Sequence, residues 1–274
     1  MSFPLSPAQV AQYRRDGFLF PVDVLPREEA ANYRAEMESL EQRYGAGSLP
    51  QPLSRFFRVN GHVVIPFMSR IARTSKILDV VQSLLGPNLL VWSCELFIKE
   101  PGTRKIVSWH QDLTYWGLGE TDEQMTAWVA LSPATVESGC MRFVAGSHHQ
   151  PLLPHRETFH KDNLLSRGQE IEVEVEESTA SNIVLQPGQM SLHHGRMFHS
   201  SGPNLSQDRR IGVAIRYVTP GVRQTVAERD YAMLVRGCDP DRNWINFAPP
   251  EEPFGTDSMA LYDRILADQS AVLG

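Results

Sequence analysis

The sequence predicts a mainly β protein: an antiparallel sandwich or barrel with helices packed around it. Two observations lead there. Past Asn88 the chain breaks into short β-prone segments separated by turn residues: NLLVWSCELFIK, SWHQD, TAWVALSP, MRFVAGSH, NIVLQ, MSLHH, MFHSS and IGVAIRYV. Many of these alternate apolar and polar positions, as strands with one buried face do. Ahead of Asn88, three segments carry the helical period instead.

The first helix is predicted over SPAQVAQYRRDG, with Ser6 as N-cap, Pro7 at the first helical position and Gly17 as the stop. The second, LPREEAANYRAEMESLEQRYG from Leu25 to Gly45, is rich in helix formers and puts Ala30, Tyr33 and Met37 on one stripe. The third lies in TSKILDVVQSLLG, Thr74 to Gly86, with Ile77, Val80, Val81 and Leu84 on one face. A polar stretch from Gln150 to Ser181 interrupts the β segments, and its charged part EIEVEVEES, Glu170 to Ser178, reads as a solvent-facing strand or linker. The tail after Asp239 is rich in proline and acidic residues and closes on the helix-like SMALYDRILADQS. The whole reads as one domain, 1–274: a helical part over about 1–87, a β core over about 88–220 and a C-terminal extension over 221–274. The 150–181 insertion is a candidate lid.

With 274 residues the chain can bury a sizeable core. A net charge of −6 and the lack of any Lys/Arg block argue against a nucleic-acid or membrane-surface partner. Cys94, Cys140 and Cys238 are far apart in sequence and read as reduced thiols of a cytoplasmic protein. The N-terminal residues lack the apolar run of a signal peptide, and no stretch approaches the ~18 apolar residues of a membrane span.

Chemistry concentrates in SWHQDLTYW, Ser108 to Trp116. In a strand, residues two apart point to one face, so His110 and Asp112 can both aim into a barrel. An imidazole nitrogen and a carboxylate oxygen there can bind one ion at roughly 2.1 Å. Two histidines with one carboxylate form the open arrangement of non-haem Fe(II) oxygenases. The third ligand stays open on this reading, between His194 in SLHHG and His199 in MFHSSGPN. His148 and His149 follow a tight turn, and His62, His155 and His160 lie in loops or polar segments. A second feature sharpens the assignment. Arg210 opens RIGVAIRYV on the same face as Gly212 and Ala214, and a strand pair joined through SGPNLSQD would bring it beside His199. Arginine grips a carboxylate through two parallel hydrogen bonds. A metal beside such a clamp is what a 2-oxoglutarate-dependent enzyme requires. The keto acid chelates iron at one end, and its far carboxylate needs a cation in a closed pocket.

These pieces resemble the phytanoyl-CoA dioxygenase family of Fe(II)/2-oxoglutarate oxygenases. The similar segments are the GFLF stretch after Gly17, FIKEPG, WHQD, TAWVALSPATVESGCMRFVAGSH and HSSGPNLSQDRR. The family carries a comparable ENGCL…PGSH block and an H-x-SGxN…R ending. The resemblance implies a double-stranded β-helix, the cupin-like jelly roll, flanked by N-terminal and C-terminal helices. It implies His110, Asp112 and His199 as metal ligands, choosing His199 over His194, and Arg210, eleven residues past His199, as the 2-oxoglutarate clamp. It also implies that Thr126 stands near 2-oxoglutarate, where ectoine hydroxylases place a serine. Trp116 matches a tryptophan that borders the substrate in ectoine and free-proline hydroxylases, and Lys99 sits in a K-x-PG element that helps line the pocket. Halogenating relatives replace the carboxylate by a small residue, so Asp112 favours hydroxylation over halogenation.

The implied function is a non-haem dioxygenase using Fe(II), 2-oxoglutarate and O2 to hydroxylate an unactivated C–H bond. Trp92, Tyr115, Trp116 and Trp128, if inward, suit a small or medium-sized substrate. The competing class is a metal-binding cupin-like protein that is not an oxygenase, such as a hydrolase, isomerase or sensor, in which the carboxylate clamp has no purpose.

Overall fold

The computed structural model describes residues 4–158, 161–165, 169–172 and 175–273. The chain opens with α1 (Pro7–Asp16), β1 (Phe18–Asp23) and α2 (Arg27–Tyr44). Ser6 and Gln9 close a reciprocal capping box on α1, and Gly17 ends it at φ 81°. The short helices α3 (Leu53–Arg58) and α4 (Pro66–Ala72) follow, then α5 (Ser75–Leu85) and β2 (Leu89–Lys99). Next come β3 (Val107–His110), β4 (Gln124–Ala130), β5 (Met141–Val144), β6 (His155–Glu157), β7 (Gln169–Ile171) and β8 (Ala180–Ile183). The chain ends with β9 (Gln189–His194), β10 (His199–Ser201), β11 (Arg210–Val218), β12 (Tyr231–Arg236), β13 (Ile245–Asn246) and α6 (Thr256–Leu273).

The strands build a seven-stranded sheet, ordered β1-β9-β4-β11-β2-β12-β13, and a four-stranded sheet, ordered β3-β10-β5-β8. β6 and β7 pair as a separate ribbon. β11 lies at the centre of the large sheet and is buried along its whole length. Its two-residue period separates two environments. Ile211, Val213, Ile215 and Tyr217 join the core that α2, α4 and α5 cover with Ala30, Met37, Met68, Ile71, Ile77 and Val81. Arg210, Ala214 and Arg216 line a cavity on the opposite face. The small sheet packs over that inner face, where Met141, Phe143 and Ile183 meet Trp128, Ala130 and Ala214.

Gly212 is explained by this packing. A Cβ there would stand 1.8 Å from the Trp128 ring, so only glycine lets the indole lie against β11. Among the described residues no helix is long and apolar enough to cross a membrane.

The structure departs from the sequence reading in specific places. The helical part before Asn88 also supplies β1, an edge strand paired with β9, and the C-terminal extension supplies β12 and β13. β10 and β11 are not a hairpin: they lie in different sheets, and SGPNLSQD crosses between them. His62 sits in a short 3-10 turn and is wholly buried against Phe247, with burial lowering its pKa to about 3. Its neighbours, not its own polarity, decided its place. Of the charged stretch Glu170–Ser178, β7 pairs with β6 and buries Ile171, while Val173 and Glu174 lie outside the described residues, as does His160.

Gly212→Ala should cost ~1–3 kcal/mol of stability through overpacking. Calorimetry should show a melting temperature lower by several degrees; an unchanged melting temperature would contradict this packing of Trp128.

Candidate active site

The site is built where β3 and β10 run side by side. Their register sets His110 directly opposite His199, and their rings stand 3.9 Å apart. Each histidine is fixed by the same local device. His110 Nδ1 lies 2.9 Å from Ser108 O, and His199 Nδ1 lies 2.9 Å from Met197 O. A carbonyl oxygen only accepts, so both Nδ1 atoms carry a hydrogen, and in the neutral ring each Nε2 presents a lone pair. These lone pairs face Asp112 Oδ1, at 3.4 Å from His110 and 3.8 Å from His199.

In those neutral forms three acceptors meet with no donor between them, and their ligand atoms all lie within 4.8 Å of one another. A divalent cation resolves that arrangement, and two imidazoles with one carboxylate are a donor set suited to iron. Burial lowers the His199 pKa well below its ordinary value, with the neighbouring His110 adding to the effect. Burial works against ionising Asp112, but the surrounding histidines in their protonated, hydrogen-bonding forms, together with Arg216, outweigh it and hold the carboxyl well below its usual range. A neutral imidazole and an ionised carboxylate are the metal-binding forms.

β3 ends at His110, so the shared face that a continuous strand would give has a different origin. Gln111 remains extended at φ −114° and ψ 129°, and Asp112 begins a 3-10 turn. Gln111 points the other way and is wholly buried. Its Nε2 donates to Pro151 O and Arg196 O at 3.1 Å each, its Oε1 accepts from Leu153 N at 2.9 Å, and its backbone N–H donates to His155 Nε2 at 3.0 Å. This anchor fixes the approach of Asp112. Thr126 on β4 finishes it by donating to Asp112 Oδ2 at 3.2 Å, which leaves Oδ1 toward the histidines. His193 Nε2 also stands 3.4 Å from Oδ2.

Arg210 lines the same cavity as His110, Asp112 and His199. It is 1% exposed, donates to Gly139 O at 2.8 Å, and lies 5.2 Å from the centre of the Trp128 ring. Among the described residues no carboxylate pairs with it, and its Nε has no hydrogen-bond partner. Burial lowers its pKa to about 10, so it is charged at neutral pH. A buried, charged, unpaired guanidinium calls for an anion.

Phytanoyl-CoA dioxygenase is the family whose model matches residues 13–212. The chain belongs to this family. A solved apo structure of the non-heme monooxygenase ThoJ is 35% identical, covers 97% of both chains and superposes with a TM-score of 0.87. The alpha-ketoglutarate-dependent hypophosphite dioxygenase of Stutzerimonas stutzeri, a probable assignment, is 30% identical over 58% of this chain and 55% of its own length. The ectoine dioxygenase of Sphingopyxis alaskensis is 27% identical over 78% of this chain and 76% of its own. The chain spans between about half and two thirds of the length of several curated relatives it matches, at 55%, 65% and 66%.

In this family member two expected pocket residues stand behind the cavity wall. Lys99 Nζ donates to Ser201 Oγ at 2.7 Å and to the carbonyls of Ser201 and Gly202, tying β2 to the end of β10. The amino group is used up there, and burial, with Arg210 beside it, lowers its pKa to about 6. Trp116 packs on Trp92 at 5.3 Å and receives the Arg216 guanidinium at 4.6 Å, so it touches the cavity through Arg216. Trp109 points outward to Glu177 and Arg142. His194 faces away from the site onto Asp122 at 3.1 Å.

Sequence reasoning misses Gln111 and Arg216, and reads His193 as polarity at the pocket mouth or, more simply, as an outward strand residue or a hydrogen-bonding neighbour of a ligand. Strand period was the available signal for Arg216, which follows Arg210 by six residues on one face; His193 pairs in register with Thr126. His199→Ala should abolish binding of Mn(II) in calorimetry and His194→Ala should retain it. The reverse result would move the third ligand to the other face of β9.

Proposed function

We propose that this protein is a non-haem Fe(II)- and 2-oxoglutarate-dependent dioxygenase that hydroxylates an unactivated C–H bond of a small or medium-sized molecule. The observation that carries the reading is the pairing, in one cavity, of the acceptor trio His110, Asp112 and His199 with a buried guanidinium that lacks a carboxylate. One end of 2-oxoglutarate suits the metal, and the other suits Arg210. The relative named as an alpha-ketoglutarate-dependent dioxygenase supports this over a cupin-like hydrolase, isomerase or sensor. Asp112 keeps a carboxylate in the trio, which supports hydroxylation over halogenation. We read the two packed sheets as a double-stranded β-helix and residues 1–274 as one domain, supported by a single apolar cluster running from Leu5 to Ile265. The unpaired thiols Cys94, Cys140 and Cys238 support a reducing compartment such as the cytoplasm.

In this mechanism His110, Asp112 and His199 would hold Fe(II), and Arg210 would hold the distal carboxylate of 2-oxoglutarate. Iron with this co-substrate and O2 supplies the oxidising power for C–H cleavage. The protein's own work is positioning and exclusion of water. Ser108 O and Met197 O hold the two imidazoles in the tautomer that leaves Nε2 free. Thr126 and Gln111 hold the carboxylate in place. Leu165 from the 150–181 insertion lines the cavity, and Arg58 Nη2 donates to the neighbouring Leu164 O at 3.0 Å. We assign that insertion the role of lid.

The test is succinate formation from 2-oxoglutarate by Fe(II)-loaded protein across a metabolite pool, with mass spectrometry for a product heavier by one oxygen. Arg210→Ala should raise the 2-oxoglutarate concentration needed by about 100-fold, the scale of a lost buried charge pair. The requirement for the prime substrate should change far less. Equal change in both would remove Arg210 from the clamp.

A further inference from the structure

We propose that Arg216 binds an anionic group of the prime substrate, a carboxylate, so that this enzyme acts on an acid. The inference deepens the dioxygenase reading and rests on it.

Arg216 returns to the cavity one face-length after Arg210, roughly 20 Å further along β11 at strand spacing. Register places it between Thr126 on β4 and Ser93 on β2. Thr126 donates to Asp112, so Arg216 stands beside the acceptor trio, at the end of the cavity away from Arg210. The Trp116 ring supports it, and Trp116 is itself backed by Trp92. Its Nη1 reaches Glu95 Oε1 at 3.0 Å and Ser93 Oγ at 3.4 Å, while its Nε has no partner among the described residues.

Glu95 does not neutralise this corner. It also faces Arg58, whose guanidinium lies 4.2 Å from the centre of the Phe97 ring and whose pKa falls through burial, with Arg216 repelling it. One carboxylate therefore serves two arginines. Asp112 is the only carboxylate among the described residues lining the cavity. When a divalent ion and 2-oxoglutarate are bound, their charges cancel, and Asp112 and Arg210 cancel in turn. Arg216, Arg58 and Glu95 are left with one positive charge in excess. A buried charge without a counter-ion is costly, and a substrate carboxylate beside the metal supplies it. If the Arg216–Glu95 pair only held Trp116 in place, no preference for an acid would follow from it.

The test uses the full chain loaded with Mn(II) and saturated with 2-oxoglutarate, which keeps Arg210 and the metal occupied. Hexanoate, hexanamide, 3-phenylpropionate and its primary amide are titrated in by calorimetry. Wild-type protein is expected to bind the acids about ten-fold or more tightly than the matched amides, the scale of one charge-assisted hydrogen-bond pair. Glu95→Gln should widen the preference, because Arg216 no longer shares its charge. Arg216→Gln should remove it. Equal affinity for acid and amide in the wild type, no binding of either, or a preference that survives Arg216→Gln overturns the inference. If Arg216→Gln does not fold, an unchanged or narrower preference in Glu95→Gln overturns it. Failure of 2-oxoglutarate to bind the Mn(II)-loaded wild type overturns the dioxygenase reading with it; success there with no acid preference overturns this inference alone.

Discussion

Ser108 O and Met197 O each take the Nδ1 hydrogen of a histidine two residues further on. That repeated contact turns two imidazoles into lone-pair donors aimed at Asp112, and the rest of the site follows from it. Three buried acceptors without a donor repel one another, and leaving such groups uncompensated costs several kcal/mol. The surrounding structure sustains the arrangement. Gln111 spends its amide on three backbone groups, and Thr126 occupies the far oxygen of the carboxylate. A cation between the three acceptors would convert the repulsion into attraction.

β11 organises the remaining charges. Its outer residues anchor the helices, and its inner residues put one arginine at each end of the cavity with Gly212 and Ala214 between them. The small residues make room for Trp128, which backs Arg210. Arg210 lacks a carboxylate among the described residues, whereas Arg216 shares Glu95 with Arg58. The two ends therefore differ in charge: among the described residues Arg210 has no counter-charge, and Arg216 has half of one.

Much of this was legible in the sequence. Caps and apolar stripes located α1, α2 and α5, and alternation located most strands of both sheets. The H-x-D motif, HSSGPN and the start of β11 point to His110, Asp112, His199 and Arg210, and the structure brings them to one cavity. What stayed hidden depended on pairing between distant segments. Nothing local marks GFLF as the edge strand beside β9, or separates β10 and β11 into different sheets. Lys99 and Trp116 carry pocket-like residue types, but a second layer of contacts with Ser201 and Trp92 claims their side chains. Gln111 was passed over because a glutamine between two ligands looks like filler until its partners at residues 151–155 and 196 are placed.

His110, Asp112 and His199 stand ready for one divalent ion, with His199 neutral and Asp112 ionised. Calorimetric titration of Mn(II) into metal-free protein, in two slightly alkaline buffers of different ionisation enthalpy, measures both the ions bound and the protons released. The account predicts one ion per chain and almost no proton release, since His199 is already neutral and Asp112 already ionised. No binding, or release of a full proton or more per ion, would contradict it.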